Sequence, residues 1–303
     1  MIANTPTSWL GTLFTVRGTA LRRTGLRIIV AVLWAVVVTI AWHRWDLSQF
    51  SLTTTPFSLI GVALSIFLGF RNNASYDRYW EARKLWGRVV NASRSWARQV
   101  VTLVDGDELR QELVLRQVAW VHSLRHHLRA ERAIPELAGL LPDDEAAAVQ
   151  AARTPPALLH QRTGEKLRQA WQAGAIDTMH LPVLEATLTE LLGVQGGCER
   201  IRATPVPWPY TVLTHRIVAI YCLTLPFGLE ATVGQLTPAV VGLIAFAFYS
   251  LDAIGDEIEE PFGHDPNDLP LTSLSTGIEV DLRQALGLGS EPPMPVPVHD
   301  LLD

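Results

Sequence analysis

Three carboxylates recur at four-residue spacing near the end of an apolar stretch: Asp252, Asp256 and Glu260. Residues four apart share one face of a helix, so this spacing brings the three carboxylates together. Such a group could hold a magnesium–diphosphate substrate, enrich cations at a pore entrance, or pair with arginines such as Arg71 of a neighbouring subunit. A magnesium-dependent membrane enzyme would need two acidic motifs of this kind, and the sequence contains one.

Three histidines, His122, His126 and His127, fall within one predicted helix. Histidines four apart could bind a metal ion, but no carboxylate lies at ligand spacing beside them. We therefore interpret them as core or solvated histidines. The sequence has no nucleophile–histidine–acid order, phosphate-binding glycine loop or haem motif, and its two cysteines are too few for a disulfide framework. It predicts no enzyme, no catalytic residue, no cofactor and no metal.

The composition favours a membrane protein. Of 303 residues, 48% are hydrophobic and 18% charged, against roughly 25% charged in an average soluble protein. The net charge of -5 argues against a nucleic-acid partner. Four uncharged apolar runs cover residues 28–42, 57–70, 217–229 and 237–251. With their weakly polar flanks these runs approach the length needed to cross a bilayer, so they predict four membrane helices.

The charges that flank these runs predict the topology. Arg22, Arg23 and Arg27 precede the first run and several arginines follow the second, whereas the connections 45–56 and 230–238 contain no Lys or Arg. By the positive-inside rule both termini lie on the cytoplasmic side of a bacterial inner membrane. Glu230 falls in the second connection, where we expect an exposed acid at the outer mouth. The predicted segments are cytosolic 1–25, membrane hairpin 26–72, cytosolic helical domain 73–210, membrane hairpin 211–256 and cytosolic acidic segment 257–303.

Helical periodicity dominates the polar middle of the chain. Residues 108–130 and 182–201 carry apolar side chains every three or four positions, as amphipathic helices do. Strand-like alternation is nearly absent. The sequence therefore predicts an all-α integral membrane protein with a cytosolic helical bundle.

The second apolar run has a regular surface pattern. Val62, Ile66 and Phe70 recur every four residues and share one face of the helix, which we call the neck line. Small residues one position earlier let helix backbones approach closely. The pattern fits ordinary packing, or several copies around an axis with the neck line narrowing a pore that gates by dewetting. The small-residue seam consists of Gly61, Ser65 and Gly69.

Three stretches of the sequence resemble the bestrophin family. GVALSIFLGFRNNASYDRYWEARKLWGRVVN (61–91) is similar to the second membrane helix of that family. GGCERIRATPVPWPY (196–210) and DAIGDEIEEPFGHDPNDLPL (252–271) agree with two later segments, the second being similar to an acidic NPFG-type segment. The three stretches occur in the family's order, and the short chain favours the bacterial branch.

The resemblance implies a homopentameric ion channel with four membrane helices per subunit around a central pore, in contact with the lipid bilayer. The family's hydrophobic neck carries over onto Val62, Ile66 and Phe70, the residues that spacing selects. A second constriction at the cytosolic exit would fall near Met179 and His180. Monovalent ions would permeate: chloride by family, sodium or potassium in some bacterial members. The acidic residues favour cations, so the sign of the permeant ion stays open.

The resemblance also concerns calcium. The calcium clasp of eukaryotic members maps onto an acidic segment that His264, Pro266 and Asn267 interrupt here. Because calcium takes six to eight oxygen ligands, we expect no calcium gating. A non-conducting scaffold with a partner-binding cytosolic domain remains an alternative to the channel. The residues onto which the clasp maps are Glu257, Glu260, Asp265 and Asp268.

Overall fold

The computed structural model describes residues 11, 15, 18–45, 53–289, 292–297 and 302–303. This part of the chain is helical, with two isolated β-bridges and no strand. The all-α prediction is confirmed. The chain divides into two compact units. We call the described residues of 4–79 and 204–261 the membrane unit, and those of 80–203 and 262–303 the helical body. Parts of the predicted segment 1–25 and of the connection 45–56 lie outside the described residues.

The membrane unit is built from four helical segments. They are α1 (Leu21–Trp45), the first part of α2 (Thr54–Leu103), α7 (Trp208–Val233) and α8 (Thr237–Glu259). Three stretches are long and apolar enough to cross a membrane: α1, α2 and Trp208–Glu259. The last contains both α7 and α8, separated by a 3-10 turn at Gly234–Leu236. The four predicted apolar runs therefore correspond to four helical segments, each longer than the run that predicted it.

Aromatic and small side chains hold the membrane unit together. Tyr221 of α7 and Phe248 of α8 make an edge-to-face contact with ring centroids 5.4 Å apart, as expected for a hairpin that turns at Gly234. Gly61 of α2 lies against Tyr221, where a Cβ atom would come 2.7 Å from the hydroxyl oxygen. Small residues such as Ala35 of α1 are fully buried in the same core. Close approach of the helices therefore depends on small residues, as in other membrane bundles.

Pro226 interrupts the hydrogen bonding of α7 from within the helix. Proline has no N–H, so a carbonyl in the preceding turn loses its usual donor and the local ladder is weakened. Trp34 of α1 donates its indole N–H to the carbonyl oxygen of Leu223, 2.8 Å away, in that same turn. The carbonyl that Pro226 leaves without its helical donor is that of Cys222, four residues earlier, so the Trp34 bond joins α1 to the adjacent carbonyl of the weakened turn.

The helical body contains the rest of α2 and five further helices. Its fully buried aromatic side chains are Trp86, Trp96 and Trp120. The helices predicted at 108–130 and 182–201 are confirmed, with bounds shifted by one or two residues. A 3-10 helix, Pro135–Leu137, follows the first of them. The five helices are α3 (Asp107–Leu128), α4 (Asp143–Ala151), α5 (Pro155–Gln172), α6 (Leu181–Ala203) and α9 (Leu271–Ala285).

Helix α3 differs from the amphipathic prediction, because its second half is buried on almost every side. Its charges are compensated by partners distant in the sequence. Arg116 makes two hydrogen bonds to the Glu145 carboxylate, of 2.8 and 2.6 Å. A buried guanidinium is tolerated when a carboxylate satisfies it in this two-pronged geometry. Periodicity alone treats such an arginine as a solvent-facing residue.

Candidate functional site

The neck line is exposed on α2 in the single chain. Val62, Ile66 and Phe70 are 61%, 53% and 71% exposed, while Leu64 and Leu68 on another face are buried. No charged residue occurs from Thr54 to Phe70. Only a narrow strip of this helix therefore packs against its own chain. The remaining apolar surface must contact lipid, other copies of the chain, or a pore.

The small-residue seam is divided between two environments. Gly61 is covered within the chain by Tyr221, whereas Ser65 and Gly69 are exposed. A Cβ atom on Gly69 would meet nothing within 4 Å. The Ser65 hydroxyl donates to the Gly61 carbonyl at 2.8 Å, so the serine adds no unsatisfied polar group. Ser65 and Gly69 leave a flat surface next to the neck line.

A buried charged cluster lies immediately after the neck line. Arg71 donates to Asp252 at 2.8 Å and also hydrogen-bonds to Asp256, and its guanidinium is 3.8 Å from Glu259. His215 of α7 lies 2.9 Å from Asp256 and 3.2 Å from Asp252. We call these five residues the Arg71 cluster. Sequence analysis expected such pairs between subunits, but Arg71 forms them within one chain and so ties α2 to α8.

The Arg71 cluster includes a histidine that sequence analysis missed. His215 and Asp256 are at nearly equal distances from the turn at Gly234, so an antiparallel hairpin places them at the same level. That symmetry could have identified His215. Ligand atoms of His215, Asp252 and Asp256 lie within 4.8 Å of one another and could hold a metal ion. The Arg71 guanidinium contributes one positive charge against these two carboxylates, and His215 lies within hydrogen-bond distance of both.

Arg78 closes the end of α8 next to the Arg71 cluster. Its Nε donates to the main-chain carbonyl of Glu259 at 3.2 Å, and its guanidinium also donates to the carbonyl of Thr204. The Glu259 carboxylate accepts a hydrogen bond of 3.0 Å from the main-chain N–H of Val206. The polar end of the membrane unit is therefore fixed by bonds to backbone as well as to side chains.

The remaining predicted acids are divided between the two units. Asp252 and Glu257 are buried in the membrane unit and Glu260 is exposed. Asp265 and Asp268 belong to the helical body, where the Asp268 carboxylate accepts a 2.8 Å hydrogen bond from the main-chain N–H of Asp265. Asp268 is buried in that turn. Its local bond closes a loop, which is a structural use of the side chain.

The predicted exit residues lie at the start of α6. Met179 is exposed, and its main-chain N–H donates to the Asp177 carboxylate at 2.7 Å. His180 immediately precedes α6, and its carbonyl accepts a hydrogen bond from the main-chain N–H of Leu184. The turn therefore exposes the apolar Met179 side chain, and the hydrogen bond to Asp177 fixes the backbone that carries it.

Glu230 is buried, contrary to the expectation of an exposed acid in the outer connection. Helix α7 extends to Val233, so Glu230 lies in its last turn. Its carboxylate accepts a 2.9 Å hydrogen bond from the Thr39 hydroxyl and lies 3.5 Å from Nδ1 of His43. Both partners belong to α1. Glu230 therefore joins two helices of the membrane unit and contributes little charge to its surface.

Each histidine of α3 lies against a carboxylate of the helical body; His122 and His126 are buried and His127 is half-buried. His122 lies 2.8 Å from Glu279, and His127 lies 3.4 Å from Glu199. Burial raises the pKa of Glu279, but hydrogen bonds from His122 and Arg283 outweigh it, so the net pKa is below its usual value. The partners of His122 and His127 come from other helices, α9 and α6, so they escape a search for local ligand spacing.

His126 lies between two carboxylates. Its Nδ1 is 2.5 Å from Glu131 and its Nε2 is 2.9 Å from Glu136. Burial raises the pKa of Glu136, but hydrogen bonds from His126 and Arg125 hold it well below its ordinary value. These contacts are structural, because they hold the end of α3 to the segment that follows it. By contrast, burial raises the pKa of Cys198 to about 12, which leaves no thiolate for nucleophilic chemistry.

The fold and these sites define an α-helical membrane protein whose second helix presents an uncharged apolar line and ends in a buried charged cluster. Residues 1–284 match the family described as Bacterial/Fungal Bestrophin protein. The chain belongs to the bestrophin family. The resemblance inferred from three sequence stretches is confirmed, and the chain is assigned to a family of ion channels rather than of enzymes.

Relatives and solved structures agree with this assignment. The chain is 41% identical over 298 residues to a voltage-dependent anion channel-forming protein of Ralstonia nicotianae, covering 96% of this chain and 97% of that one. It is 37% identical over 284 residues to the voltage-dependent anion channel-forming protein YneE of Escherichia coli, covering 94% and 93%. A crystal structure of a bacterial bestrophin homologue from Klebsiella pneumoniae superimposes with a TM-score of 0.84 at 36% identity, covering 88% of this chain and 99% of that chain.

Proposed function

We propose that this protein is a homopentameric channel that conducts monovalent anions through a hydrophobic neck lined by Val62, Ile66 and Phe70. The observation that carries the proposal is the exposed, uncharged neck line on a helix whose opposite strip alone is buried. Copies packed through Ser65 and Gly69 would turn that line toward a common axis. A narrow apolar constriction excludes water until it widens, so the neck would act as the gate.

The choice of anions rests on the relatives and on the Arg71 cluster. The relatives in R. nicotianae and E. coli are both named as anion channel-forming proteins. Asp252 is buried and held by Arg71, so its charge is compensated inside the subunit. The predicted acidic belt therefore contributes less negative potential to a pore than its composition indicates. That weakens the compositional argument for cations.

The membrane orientation follows from charge. Arg22, Arg23 and Arg27 lie at one end of the membrane unit, and positive charge marks the cytoplasmic side. In this arrangement both termini and the helical body lie on the cytoplasmic side of a bacterial inner membrane. The end that carries Glu230 faces outward. We place the exit constriction near Met179 and His180 and expect no calcium gating from the acidic residues.

The test is a reversal-potential measurement on the purified protein in a planar bilayer under a KCl gradient. We compare the wild type with the triple variant Val62→Ala, Ile66→Ala and Phe70→Ala. The matched control replaces three equally exposed apolar residues of α1 by alanine. The control residues are Leu33, Val37 and Ile40, which are 59%, 55% and 61% exposed.

The expected result is a reversal potential near the chloride equilibrium value, with larger open probability or conductance in the neck variant and no change in the control. A reversal potential near the potassium value would refute anion selectivity while leaving the channel in place. Equal currents from the neck variant and the wild type would remove the neck line from the gate. Absence of current in every variant would favour a non-conducting scaffold.

A further inference from the structure

Two adjoining cavities open on the helical body where α3 and α6 end. One has a volume of about 490 Å³ and the other of about 480 Å³. His127, Arg153 and Arg202 line both. Arg132 lines the second cavity as well. Three guanidinium groups from three different segments of the chain therefore converge on one concave surface.

Two of these arginines have no protein partner. Within the part of the chain that the structure describes, Arg132 and Arg153 make no hydrogen bond and no ion pair. Arg202 donates one Nη1 hydrogen bond, of 2.5 Å, to the main-chain carbonyl of His127. Most of the donors in this cluster are consequently available to a ligand. Guanidinium groups with free donors, gathered in a concave surface, suit a multivalent oxyanion.

The acids in the cavity walls already have partners. Glu199 accepts a 2.8 Å hydrogen bond from Gln195 and lies 3.4 Å from His127. Glu131 lies 2.5 Å from His126 and 3.0 Å from His264. These carboxylates therefore interact with side chains other than the cavity arginines.

His127 and Thr154 add uncharged polar groups to the cavity walls. Burial, the largest influence on His127, lowers the pKa of its imidazole, so this ring contributes a neutral polar group rather than a charge. Thr154 lines the first cavity at the start of α5, and its side chain makes no capping hydrogen bond. A hydroxyl and three guanidinium groups together provide the donors that a tetrahedral oxyanion requires.

We propose that these cavities form a binding site for a phosphate group, held by Arg132, Arg153 and Arg202. Such a group occurs in soluble phosphate compounds and in the headgroups of anionic lipids. Arg202 lies shortly before the membrane helix α7 in the chain, so both sources have to be tested. This site is separate from the neck line and does not depend on the channel proposal.

The first experiment measures binding of inorganic phosphate and pyrophosphate by calorimetry to the full chain in phosphatidylcholine nanodiscs. Arg153→Gln is the central variant, because Arg153 lines both cavities and its replacement breaks no bond within the described protein. Arg168→Gln is the matched control: Arg168 is an exposed arginine of α5 with no partner among the described residues. Loss of one charge-assisted contact should raise the Kd about tenfold or more in Arg153→Gln and leave the control unchanged.

The second experiment tests the lipid source. The same three proteins are placed in nanodiscs that contain phosphatidic acid as well as phosphatidylcholine, and native mass spectrometry counts the retained phosphatidic acid. A lipid-binding site predicts retention in the wild type and in Arg168→Gln, with several-fold loss in Arg153→Gln. Size-exclusion elution and thermal unfolding confirm that each variant is folded and assembled.

The outcomes distinguish a soluble phosphate ligand, a lipid headgroup and the absence of a site. Phosphate or pyrophosphate binding that depends on Arg153 supports the site with a soluble source. Phosphatidic acid retention that depends on Arg153, without binding of the soluble anions, supports the site with a lipid source. Binding that is absent, or equal in Arg153→Gln and Arg168→Gln in both experiments, overturns the proposal. Channel currents do not enter the comparison, so failure of this site would not be confused with failure of the neck.

Discussion

Replacement of Arg71 by methionine should destabilise the membrane unit by about 3–5 kcal/mol. The side chains of Arg71 and Asp252 are 4% and 1% exposed, so the substitution leaves a carboxylate buried without its cation. Methionine fills much of the same volume, so the loss measures charge compensation rather than a cavity. Arg71 also contacts Asp256 and Glu259, which increases the number of acids left unpaired.

Replacement of the acid has a smaller expected cost. In Asp252→Asn the arginine keeps Asp256 and Glu259 as partners and still has an amide oxygen to donate to, so we expect about 1–2 kcal/mol. The double variant Arg71→Met with Asp252→Asn removes both members of the buried pair. Its cost should be at least about 1 kcal/mol less than the sum of the single costs, because the two residues are in direct contact.

The assay is equilibrium unfolding of the four proteins in mixed micelles, followed by helical circular dichroism as the denaturing detergent increases. Arg88→Met is the matched control. Arg88 lies 3.4 Å from Glu190 with both side chains about half exposed, so its loss should stay within about 0.5 kcal/mol. Strict additivity of the two single variants, or a cost for Arg71→Met no larger than for Arg88→Met, would refute the argument from burial.

Three further predictions concern other buried or strained positions. Glu230→Gln keeps an acceptor for the Thr39 hydroxyl and should cost below about 1 kcal/mol in the same unfolding assay, whereas Glu230→Ala should cost about 2–3 kcal/mol. Ala130 has φ of +59°, so Ala130→Gly should raise stability by about 0.5–1 kcal/mol in thermal unfolding, and a loss would contradict strain at this position. Burial lowers the pKa of His160 from 6.5 to about 4, so only the unfolded chain takes up a proton between those values and stability falls as the pH falls through that window. Between pH 6.5 and 4 the unfolding free energy should therefore fall by up to roughly 3 kcal/mol less in His160→Phe than in the wild type. An equal fall in the two proteins would refute this.

Local patterns in the sequence identified most of the helices. The uncharged runs and the three-to-four periodicity predicted the segments that became α1, α7, α8, α3 and α6, because each helix depends on a face that repeats along its own residues. The sequence did not predict that α2 runs for 50 residues, from Thr54 to Leu103. At Arg71 the residues of that helix change from apolar to a mixture of polar and apolar, but no helix-ending residue occurs there. The composition therefore indicates a domain boundary at a point where the helix continues.

The charged partners could not be predicted, because they come from far along the chain. The hydrogen bond from Arg71 to Asp252 spans 181 residues, and the contact from His122 to Glu279 spans 157. The sequence showed that each side chain was polar, but only the packing of α2 on α8 and of α3 on α9 decides which charges meet. Glu230 was misassigned for a related reason, since its burial depends on Thr39 and His43 of another helix. The roles of the neck line and of Met179 stay predictions until currents are measured.

The bond from Trp34 to Leu223 bears on how the chain is inserted into the bilayer during synthesis. The donor is made 189 residues before the acceptor, so α1 is already present when the ribosome produces the proline-broken turn of α7. Pro226 leaves the Cys222 carbonyl without its helical donor, which weakens that turn in hydrocarbon, and the Trp34 bond to the adjacent Leu223 carbonyl ties the turn to α1. Helix α1 is therefore available to brace this turn as α7 enters the membrane, and we expect mutation of Trp34 to delay maturation of the protein more than it alters the mature fold.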